Sequence, residues 1–289
     1  MKIVRARCIP ENSRDEMTAE ALALAFDAST NLGKRAVIDA IAATMESIGD
    51  PIERIWMEDA NGRRHTYQVE QALAVLGDPA NFRYLWALPA SERRNSKSRW
   101  MTAATIDNIA VDSATVFFAL PRGTAQEFVP HLTLLELLAQ ADIVPQYGFG
   151  YSREYGSPDY FAVDYAYKSG KRAIDQADWI RRSASSDARS VEPAELPDRY
   201  RNVRRRVLDV FPLNVLSDIH LQQKFAGATF KEWIQHNTGP ASLQQIGPRC
   251  FVWFVPVSRT ASLCEQLRKF GLTIERAEQG YHSQRLSCV

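Results

Sequence analysis

The sequence is short of the residues that most readily betray a function. Four cysteines in 289 residues, Cys8, Cys250, Cys264 and Cys288, form no C-x-x-C pair, which argues against a zinc ribbon, a thioredoxin-type redox site or a disulfide scaffold and suits a reducing compartment. The five histidines, His65, His131, His220, His236 and His282, show neither H-x-x-x-H nor H-E-x-x-H spacing, so each reads first as a surface or internally satisfied side chain. Charge of one sign is also missing. With 35 basic against 34 acidic residues, the chain is neither a polyanionic mimic of DNA nor a strongly basic nucleic-acid binder. No apolar run reaches the roughly 18 to 20 residues that span a bilayer, and Lys2, Arg5 and Arg7 interrupt the stretch where a signal peptide needs an unbroken apolar core. The expected compartment is the cytoplasm, with no membrane partner.

Catalytic motifs are equally sparse. No Asp or Glu is followed two positions later by Lys, so the acid-x-Lys element of restriction-endonuclease-like sites is missing, although Pro158-Asp159 matches its first half. There is no G-x-x-x-x-G-K-[S/T] loop. Gly148-Phe149-Gly150-Tyr151-Ser152-Arg153 starts like a dinucleotide loop but has Arg153 at the third glycine, and Glu154 stands where a G-x-S-x-G elbow needs glycine. Those two glycines read as part of a bent or bulged aromatic strand. A Cys–His nucleophilic pair assembled in space stays open, and Cys264 on an apolar helix face reads as core. No cofactor and no metal are expected.

What is present is an ordinary globular composition, 45% apolar and 24% charged, with alternating helix and strand patterns. An edge strand is expected over 2–8, and helices over Thr18 to Asp27 and Lys34 to Ile48. Pro51 to Asp59 and Arg63 to Val69, joined through Asn61-Gly62, read as a hairpin, because Asn-Gly tolerates the positive φ angles of a tight turn. Strands are expected over Phe82 to Leu88 and Ala114 to Leu120, flanking the charged loop Ser91 to Arg99. The apolar spacing of Phe128, Leu132, Leu135 and Leu138 predicts a helix over Thr124 to Ala141 that Pro130 bends or splits. Gln146 to Glu154 and Asp159 to Tyr167 read as a second hairpin.

Toward the other end, Thr229-Phe230-Lys231-Glu232 fits a capping box opening a helix with Trp233. A strand over Arg249 to Val257, a helix capped by Ser258 and ended by Gly271, and a strand over Leu272 to Arg276 complete the pattern. Strands interleaved with helices and antiparallel hairpins indicate α+β, with mixed or antiparallel sheets and the option of two similar lobes. The Ser-, Ala- and acid-rich stretch 183–197 divides an N-terminal region, 1–182, from a C-terminal one, 198–289, either as a linker or as a long loop in one compact unit.

Three clusters remain as binding candidates. Arg199, Arg201, Arg204, Arg205 and Arg206, preceded by Lys171, Arg172, Arg181 and Arg182, are offset by neighbouring acids and read as a solvated helix face before a nucleic-acid groove. The tyrosines at 147, 151, 155, 160, 165 and 167 suit either packing on a sheet or a partner surface. Of the tryptophans, read mainly as packing residues, Trp100 and Trp179 stand beside charged segments.

Several blocks carry a resemblance. Pro145-Gln146-Tyr147-Gly148-Phe149-Gly150-Tyr151, Val210-Phe211-Pro212-Leu213-Asn214-Val215-Leu216, Phe230-Lys231-Glu232-Trp233-Ile234 and Phe251-Val252-Trp253-Phe254 with its following helix resemble bacterial toxin-immunity proteins. The family suggested is immunity protein family 52, whose members accompany restriction-endonuclease-fold toxins in polymorphic and type VI secretion systems. The resemblance implies a non-enzymatic antitoxin that binds a cognate nuclease effector; it supplies no motif from which inhibitory residues can be transferred. A nuclease must bind a polyanion, so its inhibitor can meet a positive cleft with local carboxylates while staying neutral overall. The hairpin residues Tyr151, Arg153, Glu154, Tyr155, Asp159 and Tyr160, which combine rigid aromatics with both charges, are the expected contact site. The rival readings are a hydrolase or transferase with a Cys or His site and a nucleic-acid-associated protein using the arginine run.

Overall fold

The computed structural model describes residues 18–27, 30, 32, 35–59, 61–75, 82–89, 103–107, 113–121, 127–154, 207, 210–225 and 227–273. The chain forms β1 (Thr18–Asp27), α1 (Arg35–Ser47), β2 (Ile52–Asp59), β3 (Arg64–Gln68), α2 (Val69–Val75), β4 (Phe82–Pro89), β5 (Ala103–Asp107), β6 (Ser113–Pro121), α3 (Val129–Gln140) and β7 (Tyr147–Glu154). Then follow β8 (Leu213–Ser217), α4 (Asp218–Leu221), a two-stranded ribbon of β9 (Lys224–Phe225) and β10 (Ala228–Thr229), α5 (Phe230–Thr238), β11 (Leu243–Gly247), β12 (Cys250–Phe254) and α6 (Val257–Lys269).

One sheet of ten strands, in the order β3-β2-β4-β5-β6-β1-β7-β8-β12-β11, runs through the molecule, and every neighbouring pair is antiparallel. The pairing of β7 with β8, Tyr147 opposite Leu216 and Gly150 opposite Leu213, joins the strands on either side of the long 155–206 segment. Helices α1, α2 and α3 pack on one face, and α4, α5 and α6 on the other. The α+β expectation holds, with a wholly antiparallel main sheet.

The strand at the centre of this sheet is the main correction to the sequence reading. Thr18 to Asp27 was expected to be a helix and is β1, paired with β6 on one side and β7 on the other. Alanine and leucine favour helices, but their order here has a period of two. Leu22, Leu24 and Phe26 enter one core and Ala21, Ala23 and Ala25 the other, the pattern of a strand buried on both faces.

Smaller departures have similarly local causes. Helix α3 begins at Val129, so Pro130 lies in its first turn, where a missing N–H leaves no hydrogen bond unmade and no bend follows. Val69 opens α2 instead of ending β3, and Pro256, not Ser258, precedes the first turn of α6. Strands β5, β8 and β11 and the β9–β10 ribbon are not among the elements expected from the sequence. The hairpin of β2 and β3 turns at Asn61-Gly62 with Gly62 at φ +80°. The Thr229–Glu232 capping box also forms as expected, with the Glu232 N–H donating to Thr229 Oγ1 at 3.2 Å and the Thr229 N–H to Glu232 Oε2 at 2.7 Å. Gly271, at φ +66°, ends α6, after which Thr273 makes a single parallel bridge to Val207. The expected strand 2–8, the Asp159 to Tyr167 strand and the 183–197 linker lie outside the described residues.

Candidate functional site

The proposed contact hairpin starts on β7, and the packing of β7 against β1 decides what its residues can do. Tyr147, Phe149 and Tyr151 stand opposite Ala25, Ala23 and Ala21, while Gly148 and Gly150 stand opposite Leu24 and Leu22. Large meets small on both faces. A Cβ added at Gly148 would lie 2.6 Å from Leu24 Cδ2 and 2.8 Å from the Ala23 carbonyl oxygen. The register is regular, without a bulge, so the Gly-x-Gly spacing is a packing device in a straight strand, not a bend or a phosphate loop.

Tyr151 is accordingly 2% exposed. It extends the aromatic row of Tyr147 and Phe149 and contributes to the core, not to an exposed contact. Arg153 and Glu154 hold the register positions opposite Ala19 and Thr18. Tyr155, Asp159 and Tyr160 lie outside the described residues, as do Trp100, Trp179, the Arg199 to Arg206 run, Cys8, Cys288 and His282.

The four blocks that carry the family resemblance converge in one place, around β7, β8, β12 and α5. Phe149 stacks on Phe211 at 4.4 Å between ring centroids. Asn214 is fully buried; its Oδ1 accepts from the Phe211 N–H, and its Nδ2 donates to the Phe211 and Trp253 carbonyls. Trp253 is packed by Phe230 and Trp233, and its indole N–H donates to Thr238 Oγ1 at 3.0 Å. These blocks define an aromatic core with its polar groups hydrogen-bonded, which is a folding role.

Several of the described groups able to carry chemistry are likewise engaged in structure. Ser217 precedes α4, and its Oγ and backbone N–H both approach His220 Nδ1, at 2.8 and 3.2 Å. The pair is a capping box with histidine in the usual place of glutamate. Cys250 is buried in the sheet, and desolvation pushes its thiol up to about 12, so the nucleophilic thiolate is scarce at neutral pH. His131 is fully buried on α3 between Phe118 and Phe128. Burial lowers its pKa to about 3, only partly offset by the Glu20 backbone, and it is neutral at physiological pH. Nearby, the Glu20 side chain accepts from the Phe128 N–H at 3.2 Å, tying β1 to the start of α3. At the hairpin tip, the Arg63 and Asn61 N–H groups bond to Asp59 and His65 lies 3.2 Å from it, which together hold the carboxyl below its ordinary range against the opposing effect of desolvation. Among the described residues no group of three or more His, Cys, Asp or Glu is arranged to hold a metal, and no helix is long and apolar enough to cross a membrane.

A different surface emerges on the outer side of α1 and α3, which pack against each other. Asp39 and Glu46 are exposed on α1; Glu127, Glu136 and Asp142 are exposed on and beside α3. Arg35 pairs with Asp39 at 2.8 Å, and Arg249 reaches Asp142 at 3.9 Å. Val129 is 41% exposed within this layer. Sequence reasoning passed over these residues, although a signal existed: the thirty residues 123–152 contain no lysine or arginine.

No family model matches the chain, and no curated protein matches it. Among solved structures it is similar to the Pseudomonas aeruginosa T6SS protein PA0821, with a TM-score of 0.54 and 15% sequence identity over 94% of this chain and 78% of that one. At that identity the likeness establishes a shared fold, and the protein that shares it is one of type VI secretion.

Proposed function

We propose that this chain is an immunity protein that binds and neutralises a nuclease effector of a type VI secretion system in the cytoplasm of the producing cell, without catalysis of its own. The observation that carries the reading is the fold shared with a type VI secretion protein along 94% of the chain. The finer likeness, to immunity protein family 52 and in length and block order to the type VI immunity protein TsiT, belongs to the same reading. It is supported by the engagement of Ser217, His220, Cys250 and His131 in capping and packing among the described residues. Inhibition would proceed by covering the effector's active site, displacing part of it or blocking its assembly.

The test is the affinity between the purified chain and the nuclease effector encoded beside its gene, together with DNA cleavage by that effector. Stoichiometric binding with loss of cleavage is expected. An effector that neither binds nor loses activity would sink the proposal.

A further inference from the structure

The two helical layers that sandwich the sheet differ in charge, although the chain as a whole carries a formal +1. On the layer of α4, α5 and α6 two of the three acids are engaged at home: both Glu232 side-chain contacts go to Thr229, and Glu265 pairs with Lys269 at 3.4 Å, while Asp218 is half-buried at the start of α4. Lys224, Lys231 and Arg268 remain exposed there. The layer of α1 and α3 is the reverse. The basic residues there, Arg35 on α1 and Arg249 beside α3, are taken by Asp39 and Asp142, while Glu46, Glu127 and Glu136 have no ion-pair partner among the described residues. Along α3 the exposed residues Val129, Glu136 and Gln140, with half-buried Thr133 between them, follow three- and four-residue spacing and so form one stripe. An exposed apolar side chain thus shares a helix face with uncompensated carboxylates.

We infer that the outer face of α1 and α3 docks the protein partner, and that the partner presents a basic, nucleic-acid-binding surface to it. The inference rests on the functional reading above and deepens it by naming the surface. Charge complementarity selects this occupant. A surface evolved to hold phosphates is positive, the α1/α3 layer is the more negative of the two helical layers among the described residues, and opposite potentials accelerate encounter and fix orientation. Nucleic acid itself is repelled from this face, and a second copy would bring like charges together.

The experiment uses the full-length chain, a catalytically inactive form of the neighbouring effector, and the triple variant Glu46→Lys, Glu127→Lys, Glu136→Lys, whose positions are exposed; its thermal unfolding is measured alongside as a check on folding. The variant should bind at least about tenfold more weakly, chiefly through slower association, with a flatter salt dependence. A DNA duplex should compete with the wild-type chain for the effector. Unchanged affinity in the triple variant, accompanied by weakening in Lys231→Glu, Arg268→Glu on the opposite layer, would overturn this assignment while leaving the immunity reading intact. Absence of any binding by the wild type would overturn both.

Discussion

The two faces of the ten-stranded sheet solve the same packing problem with different materials. On the α1/α3 side the core is mostly aliphatic, with Leu22, Leu24, Ile55, Leu85, Ile106 and Val116 beneath Val37, Ile41, Leu134 and Leu138. On the α5/α6 side alanines on β1 leave room for Phe117, Tyr147, Phe149, Phe211, Phe230 and Trp253. Aromatic rings bury large areas per residue and bring polar handles that need partners; here the indole of Trp253 finds Thr238. The comparison teaches that the density of tyrosine and phenylalanine along 147–151 marks the side where the backbone made space for rings. Charge, which composition hides by cancelling, distinguishes the outer surfaces instead.

If that division is right, the aromatic side should be the less forgiving. Trp253→Ala removes the largest fully buried side chain among the described residues, together with its contacts to Phe230 and Trp233. It should lower the unfolding free energy by roughly 3–5 kcal/mol, as large-to-small core substitutions do, read from the urea midpoint. A loss below about 1 kcal/mol would mean that the aromatic core can collapse onto the gap, and the contrast between the faces would weaken.

The complementarity of β1 and β7 can be tested directly at the seam where the cores meet. Gly148→Ala places a methyl group against both Leu24 and the Ala23 carbonyl, and overpacking of this kind costs about 1–3 kcal/mol. Leu24→Ala in the same chain relieves the side-chain clash but not the backbone one, so the two losses should sum to more than the double variant shows. Simple additivity would indicate that the strand shifts as a body and that glycine is not required by Leu24.

How far the sequence could reveal this arrangement depended on whether the signal was local. The Asn61-Gly62 turn, the Thr229–Glu232 box and the Gly271 stop are decided within a few residues, and each was legible. β1 was not, because Ala-Leu alternation makes a strand only when β6 and β7 flank it and β7 supplies glycine opposite leucine. Tyr151 was misjudged as a surface anchor for the same reason: nothing within 145–154 discloses that alanines across the strand accept its ring. The acidic layer was half visible, in the long stretch without lysine or arginine, but only the packing of α3 on α1 shows that its carboxylates share an outer side with Asp39 and Glu46. Functional residues are hard to read where the functional property belongs to a surface gathered from distant segments.

Among the buried polar groups of the aliphatic side, His131 offers the most specific probe of how dry that side is. His131 lies among Phe118 and Phe128 with neither ring nitrogen making a well-formed hydrogen bond, and its pKa falls from 6.5 to about 3 on burial. The unfolded chain therefore binds a proton near pH 6.5 that the folded chain refuses until about pH 3. A depressed folded value of this kind leaves stability intact above the unfolded pKa and removes it progressively as the pH drops through the window between the two. Between pH 7 and pH 5 this single group should lower the unfolding free energy by about 2 kcal/mol. The His131→Leu variant, similar in volume and without a titrating group, should lose that part of the acid dependence whatever its stability at pH 7. The comparison that matters is thus the difference between the two pH values within each protein, measured by urea denaturation. If wild type and variant weaken equally on acidification, His131 is not held neutral by a dry core, and the aliphatic face admits water that the burial of its neighbours would otherwise exclude.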